Sequence, residues 1–293
     1  MDLKLLADTP PWEWPGDAGK TFRKVLNNPK AAAADRLIAA ELAGDFSVID
    51  NDLANVLLAV LRNKEEPEEL RAAAAASFGP ALEGAFCEFD EESGVFEDPE
   101  MVPISEGQYR TIQDALQRIY SDASTPKLVR RRILEASVRG GEPWHEEAIR
   151  EAYATGDPEW MLTAVFAMHH VRGFEKETLE ALRSTDPEIH CEAVVGAGSK
   201  ELDAAWPHVF RLVQDKGTEK DLRIAAIGAI GQIRPQEAEE ILLELMESPD
   251  EDISEAADEA LSMMEPDFDE DEDDEEDDED EDEDEDDEDE SIN

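Results

Sequence analysis

The feature that most constrains this chain is a pattern of small and apolar residues that recurs about every thirty residues. In each copy an apolar residue is followed, at helical spacing, by a small residue and then by a small or apolar pair. Counted on Ile133, Ala164, Ala193, Ala226 and Ala257, the steps are 31, 29, 33 and 31 residues. A period of this length with helical spacing inside each unit is typical of stacked helix pairs. The sequence therefore predicts an all-α solenoid of about six to seven helix pairs.

Helix start and stop signals divide each repeat into a first and a second helix. The first helices are predicted to start near residues 31, 67, 126, 157, 186, 218 and 249, mostly at a proline or an acidic residue. The second helices are predicted over about 51–62, 105–121, 145–154, 176–183, 204–214 and 236–247. Residues 253–263 are expected to close the array.

Three segments differ from the repeat array, which is predicted to span residues 30–264. Residues 1–29 form a predicted N-terminal cap, in which prolines exclude a helix from 1–15 and Trp12 and Trp14 seal the first helix pair. Residues 84–103 form a predicted inserted loop that either folds back over the array or binds a partner. Residues 265–293 form a predicted disordered poly-acidic tail, because adjacent carboxylates repel one another and apolar residues are scarce.

Charge restricts the partners of this chain. It has 77 acidic and 26 basic residues, a formal net charge of −51. Residues 269–290 are an unbroken run of 22 carboxylates, without which the net charge is still −29. Such a surface repels nucleic-acid phosphates and anionic membranes and attracts basic proteins. We therefore expect a basic protein partner, no direct nucleic-acid contact and no membrane contact; the tail could hold divalent cations loosely, as any polyanion does.

Cysteine usage and hydropathy bear on the compartment. Two cysteines in 293 residues do not make a disulfide framework, which favours a reducing environment. The sequence starts without a cationic segment followed by an apolar stretch, and no window approaches the roughly 18 apolar residues needed to cross a bilayer. We expect a soluble, cytoplasmic protein.

The later repeats carry a family resemblance. Two copies are Asp186-Pro187-Glu188-Ile189…Ala193…Ala197-Gly198 and Glu219-Lys220-Asp221-Leu222-Arg223…Ala226…Ile230-Gly231. They resemble the HEAT-like repeat of the phycobilisome-lyase type, which reads as an acid, a valine-arginine pair, a central alanine and a terminal leucine-glycine. The resemblance covers roughly residues 30–264 and extends to a broad set of bacterial HEAT-repeat proteins. It implies an α-solenoid and, since HEAT-repeat proteins are mostly scaffolds and adaptors, a non-catalytic role.

The same resemblance brings two enzymatic alternatives. The HEAT-repeat hydroxylase of a lysine derivative holds two irons with several His-Glu dipeptides, whereas this chain has one, His145-Glu146. The bilin lyases share the repeat signature, but no accompanying cofactor motif is evident here. We predict no catalytic or cofactor-binding residue and no cofactor, and keep an enzyme or enzyme accessory of these two types as the alternative.

The remaining histidines also suggest, at first sight, a metal site. His169, His170 and His190 could approach one another across neighbouring first helices, with Cys191 nearby. The sequence lacks the short paired-ligand spacing of zinc sites, so we predict no metal ligand and expect ordinary packing or surface histidines.

Two further patterns receive a structural interpretation. Arg71, Arg130 and Arg223 fall at one position of the repeat, where His190 stands in another unit. We interpret them as structural caps or ion pairs rather than an anion-binding row, because the chain around them is so acidic. Residues 196–200 fail the spacing and order of a phosphate-binding loop, and their glycines are interpreted as the end of a helix.

The function that this sequence favours is a non-catalytic protein–protein interaction scaffold or adaptor. Helix pairs make a curved surface with the second helices along one face, and long-range attraction would steer a basic partner toward it. A concrete version is a nucleic-acid-binding protein shielded by the tail. Adaptation to a salty cytoplasm would explain the acidic body but not the uninterrupted run. The candidate binding residues lie on two second helices and in the tail: Glu146, Glu147, Glu151, Glu237, Glu239, Glu240, Glu244, Glu247, Asp269, Glu270 and Glu290.

Overall fold

The computed structural model describes residues 2–89 and 103–264, and within these ranges every regular element is helical, as predicted. Short 3-10 turns lie at Pro11–Glu13, Val138–Gly140 and Asp203–Ala205. The α-helices are α1 (Leu3–Ala7), α2 (Ala18–Leu26), α3 (Ala33–Leu42), α4 (Asn51–Arg62), α5 (Glu68–Ala76), α6 (Gly79–Phe89), α7 (Glu106–Ser121), α8 (Lys127–Ser137), α9 (His145–Ala154), α10 (Pro158–Met168), α11 (Glu175–Ala181), α12 (Pro187–Ser199), α13 (Trp206–Gln214), α14 (Lys220–Ile233), α15 (Pro235–Met246) and α16 (Glu251–Ser262).

Seven of the described α-helices begin where a side chain accepts a hydrogen bond from an otherwise unpaired backbone amide. Asp50 accepts from the Leu53 amide at 2.7 Å, and Asp157 accepts from the Trp160 amide at 3.1 Å. Asp186, Ser105, Glu219 and Asp250 act in the same way at the starts of α12, α7, α14 and α16. Because these N-caps recur with the repeat, the sequence located the helix starts to within two residues for most of the array.

The helices form two parallel rows. The inner helices are α3, α5, α8, α10, α12, α14 and α16, and each packs directly on the next. The outer helices are α2, α4, α7, α9, α11, α13 and α15, and from α7 onward successive outer helices hardly touch. A stack that is closely packed along one side and spread along the other curves toward the packed side. The inner helices therefore line the concave face of a solenoid, which confirms the predicted fold class.

The way in which helices pair into hairpins differs from the prediction. The sequence pattern suggested that each first helix pairs with the second helix after it. In the structure each outer helix packs most closely on the inner helix that follows it, which gives seven hairpins from α2/α3 to α15/α16. The helix that was predicted as part of the N-terminal cap, α2, is thus the outer helix of the first hairpin.

Small side chains at the crossings of the inner helices form the centre of the core. Ile133, Ala164, Ala193, Ala226 and Ala257, on which the period was counted, are fully buried. Alanine at such a crossing lets neighbouring helices approach closely, and the larger side chains around it fill the space between the two rows. The repeat period is therefore the spacing of successive helix crossings.

Two glycines of α12 serve the same close packing rather than ending the helix. A Cβ on Gly198 would lie 2.9 Å from the Cα of Ala229 on α14. A Cβ on Gly196 would lie 2.5 Å from the imidazole ring of His169. Both residues are inside α12, so the prediction that they form its C-terminal stop was wrong.

The N-terminal leader is more ordered than the prolines suggested. Leu3–Ala7 is helical, which corrects the expectation of no helix over 1–15: the prolines all come later and cannot break this turn. Trp14 donates its indole N–H to the carbonyls of Leu6 and Thr9 and packs edge-on against Phe22. Trp12, in contrast, is 82% exposed.

The inserted segment begins later than predicted. Residues 84–89 belong to α6, and Gly84 lies under the ring of Phe46, where a Cβ would come within 2.3 Å of the ring. The glycine thus permits a close approach to Phe46 and does not start a loop. The rest of the predicted loop, residues 90–102, and the predicted disordered tail, residues 265–293, lie outside the described residues.

The C-terminal stop of α12 is a non-glycine residue in the left-handed region. Glu201 has φ = 50°, its amide donates to the Gly198 carbonyl at 2.7 Å, and the Leu202 amide donates to the Ala197 carbonyl at 2.9 Å. This bonding pattern is the Schellman motif, whose left-handed position is usually glycine because a Cβ is unfavourable there.

We predict that Glu201→Gly stabilises the protein by about 0.5–1 kcal/mol, since relief of the left-handed strain outweighs the added chain entropy. The midpoint of urea unfolding should rise without a change in the slope. Glu201→Ala is the control: it removes the same charge but keeps the Cβ, and an equal gain in that variant would contradict the explanation.

Candidate protein-binding surfaces

Among the grooves that open between the inner helices on the concave face, two differ in character. The central groove, about 320 Å³, lies between α5, α8, α10 and α12 and is lined by Pro80, Arg131, Arg132, Glu135, Arg139, Leu162, Phe166 and Glu192, among others. The C-terminal groove, about 340 Å³, lies between α12, α14 and α16 and is lined by Val195, Ser199, Ile224, Ala225, Gly228, Ala229, Gln232, Ala256, Glu259, Ala260 and Met263. The first groove is rich in charged side chains, whereas the second is largely apolar.

The repeated arginines cap the outer helices. The side chains of Arg71, Arg130 and Arg223 each donate through Nε to a backbone carbonyl ten residues earlier, at 2.9–3.0 Å. These carbonyls belong to Leu61, Tyr120 and Val213, at the ends of α4, α7 and α13, where no helical donor remains. The three arginines thus tie outer to inner helix in the hairpins α4/α5, α7/α8 and α13/α14, in agreement with the structural interpretation.

The same position is filled differently elsewhere. Arg36 donates through a terminal nitrogen to the Leu26 carbonyl at 3.0 Å, and in the last hairpin the Ser254 hydroxyl donates to the Met246 carbonyl at 2.6 Å. A side chain at this position thus donates to the end of the preceding outer helix in five of the seven described hairpins, from Arg36, Arg71, Arg130, Arg223 and Ser254.

The cations of the central groove are neutralised by the chain's own groups. Arg131 donates to the Thr163 hydroxyl at 2.9 Å, and this hydroxyl donates to Glu135 at 2.6 Å. Arg132 pairs with Glu135 at 2.5 Å, and Arg139 pairs with Glu83 at 2.5 Å. With each guanidinium so paired, this groove offers little unpaired positive charge to an anionic ligand.

The environment of Glu192, in the central groove, favours its neutral form. Burial raises the pKa of Glu192 to about 6, and the nearby Glu135 carboxylate adds to the effect. Burial lowers the pKa of His169 to about 4, although its Nδ1 lies 3.4 Å from the Glu192 carboxylate. Both shifts favour the uncharged forms, so loss of hydration outweighs the attraction between the two groups.

His145 and Glu146 point to different environments. The His145 ring is fully buried; its Nδ1 accepts from the Glu142 amide, and its Nε2 lies 3.1 Å from the Ser137 hydroxyl. Burial lowers the pKa of His145 to about 3. Glu146 is exposed and pairs with Arg150. The dipeptide therefore does not converge on one ligand-binding point.

The other histidines separate into two groups. His169 contacts Glu192 on α12, whereas the Nε2 atoms of His190 and His208 lie 2.9 Å apart, between α12 and α13. The sequence analysis missed His208, because eighteen residues and a change of row separate it from His190. Within residues 2–89 and 103–264, no three His, Cys, Asp or Glu side chains are arranged to hold a metal ion.

The predicted acidic binding residues fall on the outer row. Those on α9 and α15 are all exposed, so they lie on the convex side and not in the grooves. The three on α9 are Glu146, Glu147 and Glu151, and the five on and directly after α15 are Glu237, Glu239, Glu240, Glu244 and Glu247. Asp269, Glu270 and Glu290 lie outside the described residues. The structure thus brings the α15 set together on one helix and keeps the α9 set apart from it.

The last hairpin, α15/α16, carries charged side chains of one sign only. Residues 235–264 contain eleven carboxylates, all of them exposed, and no Lys, Arg or His. Two of them, Asp250 and Asp252, pair with Lys220 of α14, and Arg234 lies 3.8 Å from Glu237. Among the described residues no ion pair reaches Glu239, Glu240, Glu244, Glu247, Glu251, Glu255, Asp258 or Glu259.

The comparisons with known proteins agree with this architecture. The family model for HEAT repeats matches residues 211–275, which start in α13 and include α14, α15 and α16. A comparison with curated proteins gives no match.

Among solved structures, the chain is similar to human deoxyhypusine hydroxylase in complex with glycerol. The identity is 17%, the alignment covers 85% of this chain and 96% of that one, and the TM-score is 0.36. A likeness at this level carries no argument about function. In the described part of the chain, no helix combines the length and the apolar character that a bilayer crossing requires.

The arginine caps generate a stability prediction. Arg71→Met removes the donor from the Leu61 carbonyl in a site that is only 4% exposed, and we expect a loss of about 1–3 kcal/mol of unfolding free energy. Arg223→Met should cost less, because Arg223 is half-buried and water can replace it at the Val213 carbonyl. Chemical unfolding of both variants measures the difference, and equal losses would argue against capping as the cause.

The raised pKa of Glu192 generates a prediction about pH. A carboxyl whose folded-state pKa is about 6 stabilises the fold fully below its unfolded value and loses that contribution as the pH rises through 6. At pH 7 we therefore expect Glu192→Gln to be more stable than the natural protein by up to about 2 kcal/mol. The gain should vanish below about pH 4.5, and Glu147→Gln on the exposed face of α9 serves as the matched control.

Proposed function

We propose that this protein is a non-catalytic scaffold that holds a basic protein partner through its acidic outer surface, with the α15/α16 hairpin as the principal contact. The observation that carries the proposal is the set of eleven exposed carboxylates over residues 235–264 without a single cationic residue. The exposed Glu147 and Glu151 of α9 extend the acidic surface, and the run of 22 carboxylates over 269–290 adds to it in sequence.

The local charge balance supports this choice of surface. On α7, α9 and α11, Glu106, Asp114, Glu146 and Glu180 have an Arg or Lys one helical turn away. Exposed pairs of this kind are neutral overall and attract a charged partner weakly. On α15, Glu239, Glu240 and Glu244 lack such neighbours, so a cationic partner gains the full attraction and also relieves their mutual repulsion.

An enzymatic role, of the bilin-lyase or di-iron hydroxylase type, is the alternative that the sequence suggested. In the described geometry His145 is enclosed in the core while Glu146 faces solvent, so we draw no catalytic proposal from this pair. Metal analysis and an absorption spectrum of the purified protein test the alternative directly: stoichiometric iron or bilin would replace the scaffold proposal. A cytoplasmic setting is part of the proposal and comes from the sequence alone.

Charge-neutral variants test the proposed contact. We expect Glu239→Gln, Glu240→Gln and Glu244→Gln together to weaken binding of a lysine-rich peptide about tenfold at low salt. The matched control neutralises three paired carboxylates, Glu106→Gln, Asp114→Asn and Glu180→Gln, and changes the net charge equally. The affinities follow from fluorescence anisotropy over a salt titration.

Two outcomes would contradict the proposal. If the control triple reduced affinity as much as the α15 triple, only the net charge would matter and the hairpin would not be the contact. If the full chain failed to bind the lysine-rich peptide at low salt, a scaffold for basic partners would be excluded. Repeating the titration with a chain that ends at residue 264 separates the part of the affinity that residues 265–293 supply.

A further inference from the structure

The C-terminal groove combines an apolar floor with open space. Its floor is made by small residues of α14 and α16, among them Ala225, Gly228 and Ala260. A Cβ added at Gly228 would meet no atom within 4 Å, so a side chain at this position would enter the groove. At the edges, Val195 is 40% and Met263 is 65% exposed. Exposed aliphatic side chains around an open floor are a hydrophobic contact surface without an occupant in this chain's described residues.

The rim of this groove carries negative charge. Glu259 lines the groove, and Glu255 lies one helical turn before it on the same face of α16, which also carries Met263. Both carboxylates are exposed, and no ion pair within the described residues involves either of them. Glu188 and Asp221 are exposed in the first turns of α12 and α14, whose later turns line the groove. A ligand in the groove thus meets the carboxylate of Glu259 in the lining and has further carboxylates on the same helices nearby.

The cationic side chains of α12 and α14 are paired, hydrogen-bonded or half-buried. Lys220 pairs with Asp250 and Asp252, and Arg223 is bound to the Val213 carbonyl. Lys200, at the end of α12, is half-buried, and burial lowers its pKa. None of these three cations lines the groove, and Lys220 is neutralised by its two carboxylate partners.

We infer that the C-terminal groove is the docking site for a basic amphipathic segment of the partner protein, one that places aliphatic or aromatic side chains on the floor and Lys or Arg against the rim. This inference rests on the proposed function, because the partner is the same basic protein. It adds a second contact face, on the concave side of the same hairpin, where binding depends on apolar side chains as well as charge.

The charge of the rim argues for this occupant over others. A second copy of this chain would bring a net charge of −51 toward the carboxylates of the first. Anionic lipid surfaces and nucleic acids carry the same sign and are repelled as well. An apolar segment without cations would leave the rim carboxylates unpaired as water is excluded, which costs free energy. A segment that is both apolar and cationic meets both requirements.

The test uses the full chain and three synthetic peptides of equal length. The first repeats leucine and lysine in an amphipathic order, the second replaces leucine by serine, and the third replaces lysine by glutamate. The natural protein should bind the leucine-lysine peptide more tightly than the serine-lysine peptide and should not bind the leucine-glutamate peptide.

Gly228→Trp fills the groove from its floor and should weaken binding of the leucine-lysine peptide at least about tenfold while leaving the serine-lysine peptide unchanged. The matched control is Gly107→Trp, at an exposed glycine on α7 that also has open space around it. Gly228→Ala should preserve binding and the fold. If Gly228→Trp lowers the helical signal, Gly228→Gln repeats the test with a smaller, uncharged polar side chain.

The results distinguish the two proposals. Unchanged affinity of the Gly228→Trp variant for the leucine-lysine peptide would overturn the docking groove, and the acidic outer surface would still stand if both cationic peptides bound. Binding of neither cationic peptide to the natural protein would overturn both. A loss of affinity in Gly228→Trp that is equal for the two cationic peptides would also count against the groove, since the serine-lysine peptide has no apolar side chains to place there.

Discussion

Close packing of the inner helices is the constraint from which the other features follow. Alanine at the crossings and glycine at two positions of α12 let neighbouring helices come closer than larger side chains would allow. From α7 onward the outer helices hardly touch one another along their row and spread apart. Curvature, and with it the two grooves, is therefore a consequence of side-chain volume at a few repeated positions.

Electrostatics then divide the surface that this packing creates. In the central groove the guanidinium groups of Arg131, Arg132 and Arg139 are paired with carboxylates or a hydroxyl of neighbouring helices. On the α15/α16 hairpin the carboxylates have almost no such partners. A strongly acidic chain is thus locally balanced in its middle and unbalanced at its last hairpin, and a net charge alone cannot describe where a partner would be attracted.

Much of this fold could be read from the sequence, because the information is local and repeated. N-caps such as Asp157 and Asp186 fix helix starts within a few residues, and the alanine period fixes the crossings. The phase of the hairpins could not be read in this way. It depends on which inner helix each outer helix packs against. The clearest sign of that choice is the hydrogen bond from Arg71 or Arg223 to a backbone carbonyl ten residues earlier, at the end of the preceding outer helix. The same holds for Gly198, whose neighbour across the helix crossing, Ala229, is thirty-one residues away.

The candidate binding surface could be predicted only in part. The acidic residues of α15 were found from composition, since exposed carboxylates on a helix need no tertiary information. The C-terminal groove was missed, because Val195, Gly228 and Met263 belong to three different inner helices and each is unremarkable in its own segment. Likewise, His208 became a neighbour of His190 only through the packing of α13 on the inner row.

The stacked arrangement has one mechanical consequence for the last hairpin. Within the described residues α16 packs mainly on α14 and α15, whereas an inner helix in the middle of the array has an inner neighbour on both sides. In a one-dimensional stack, a unit held from one side opens more readily than a unit held from two. Repulsion among the unpaired carboxylates of this hairpin lowers its stability against local opening further. A bound polycation would neutralise them, and would thereby stabilise the solenoid from its last hairpin inward.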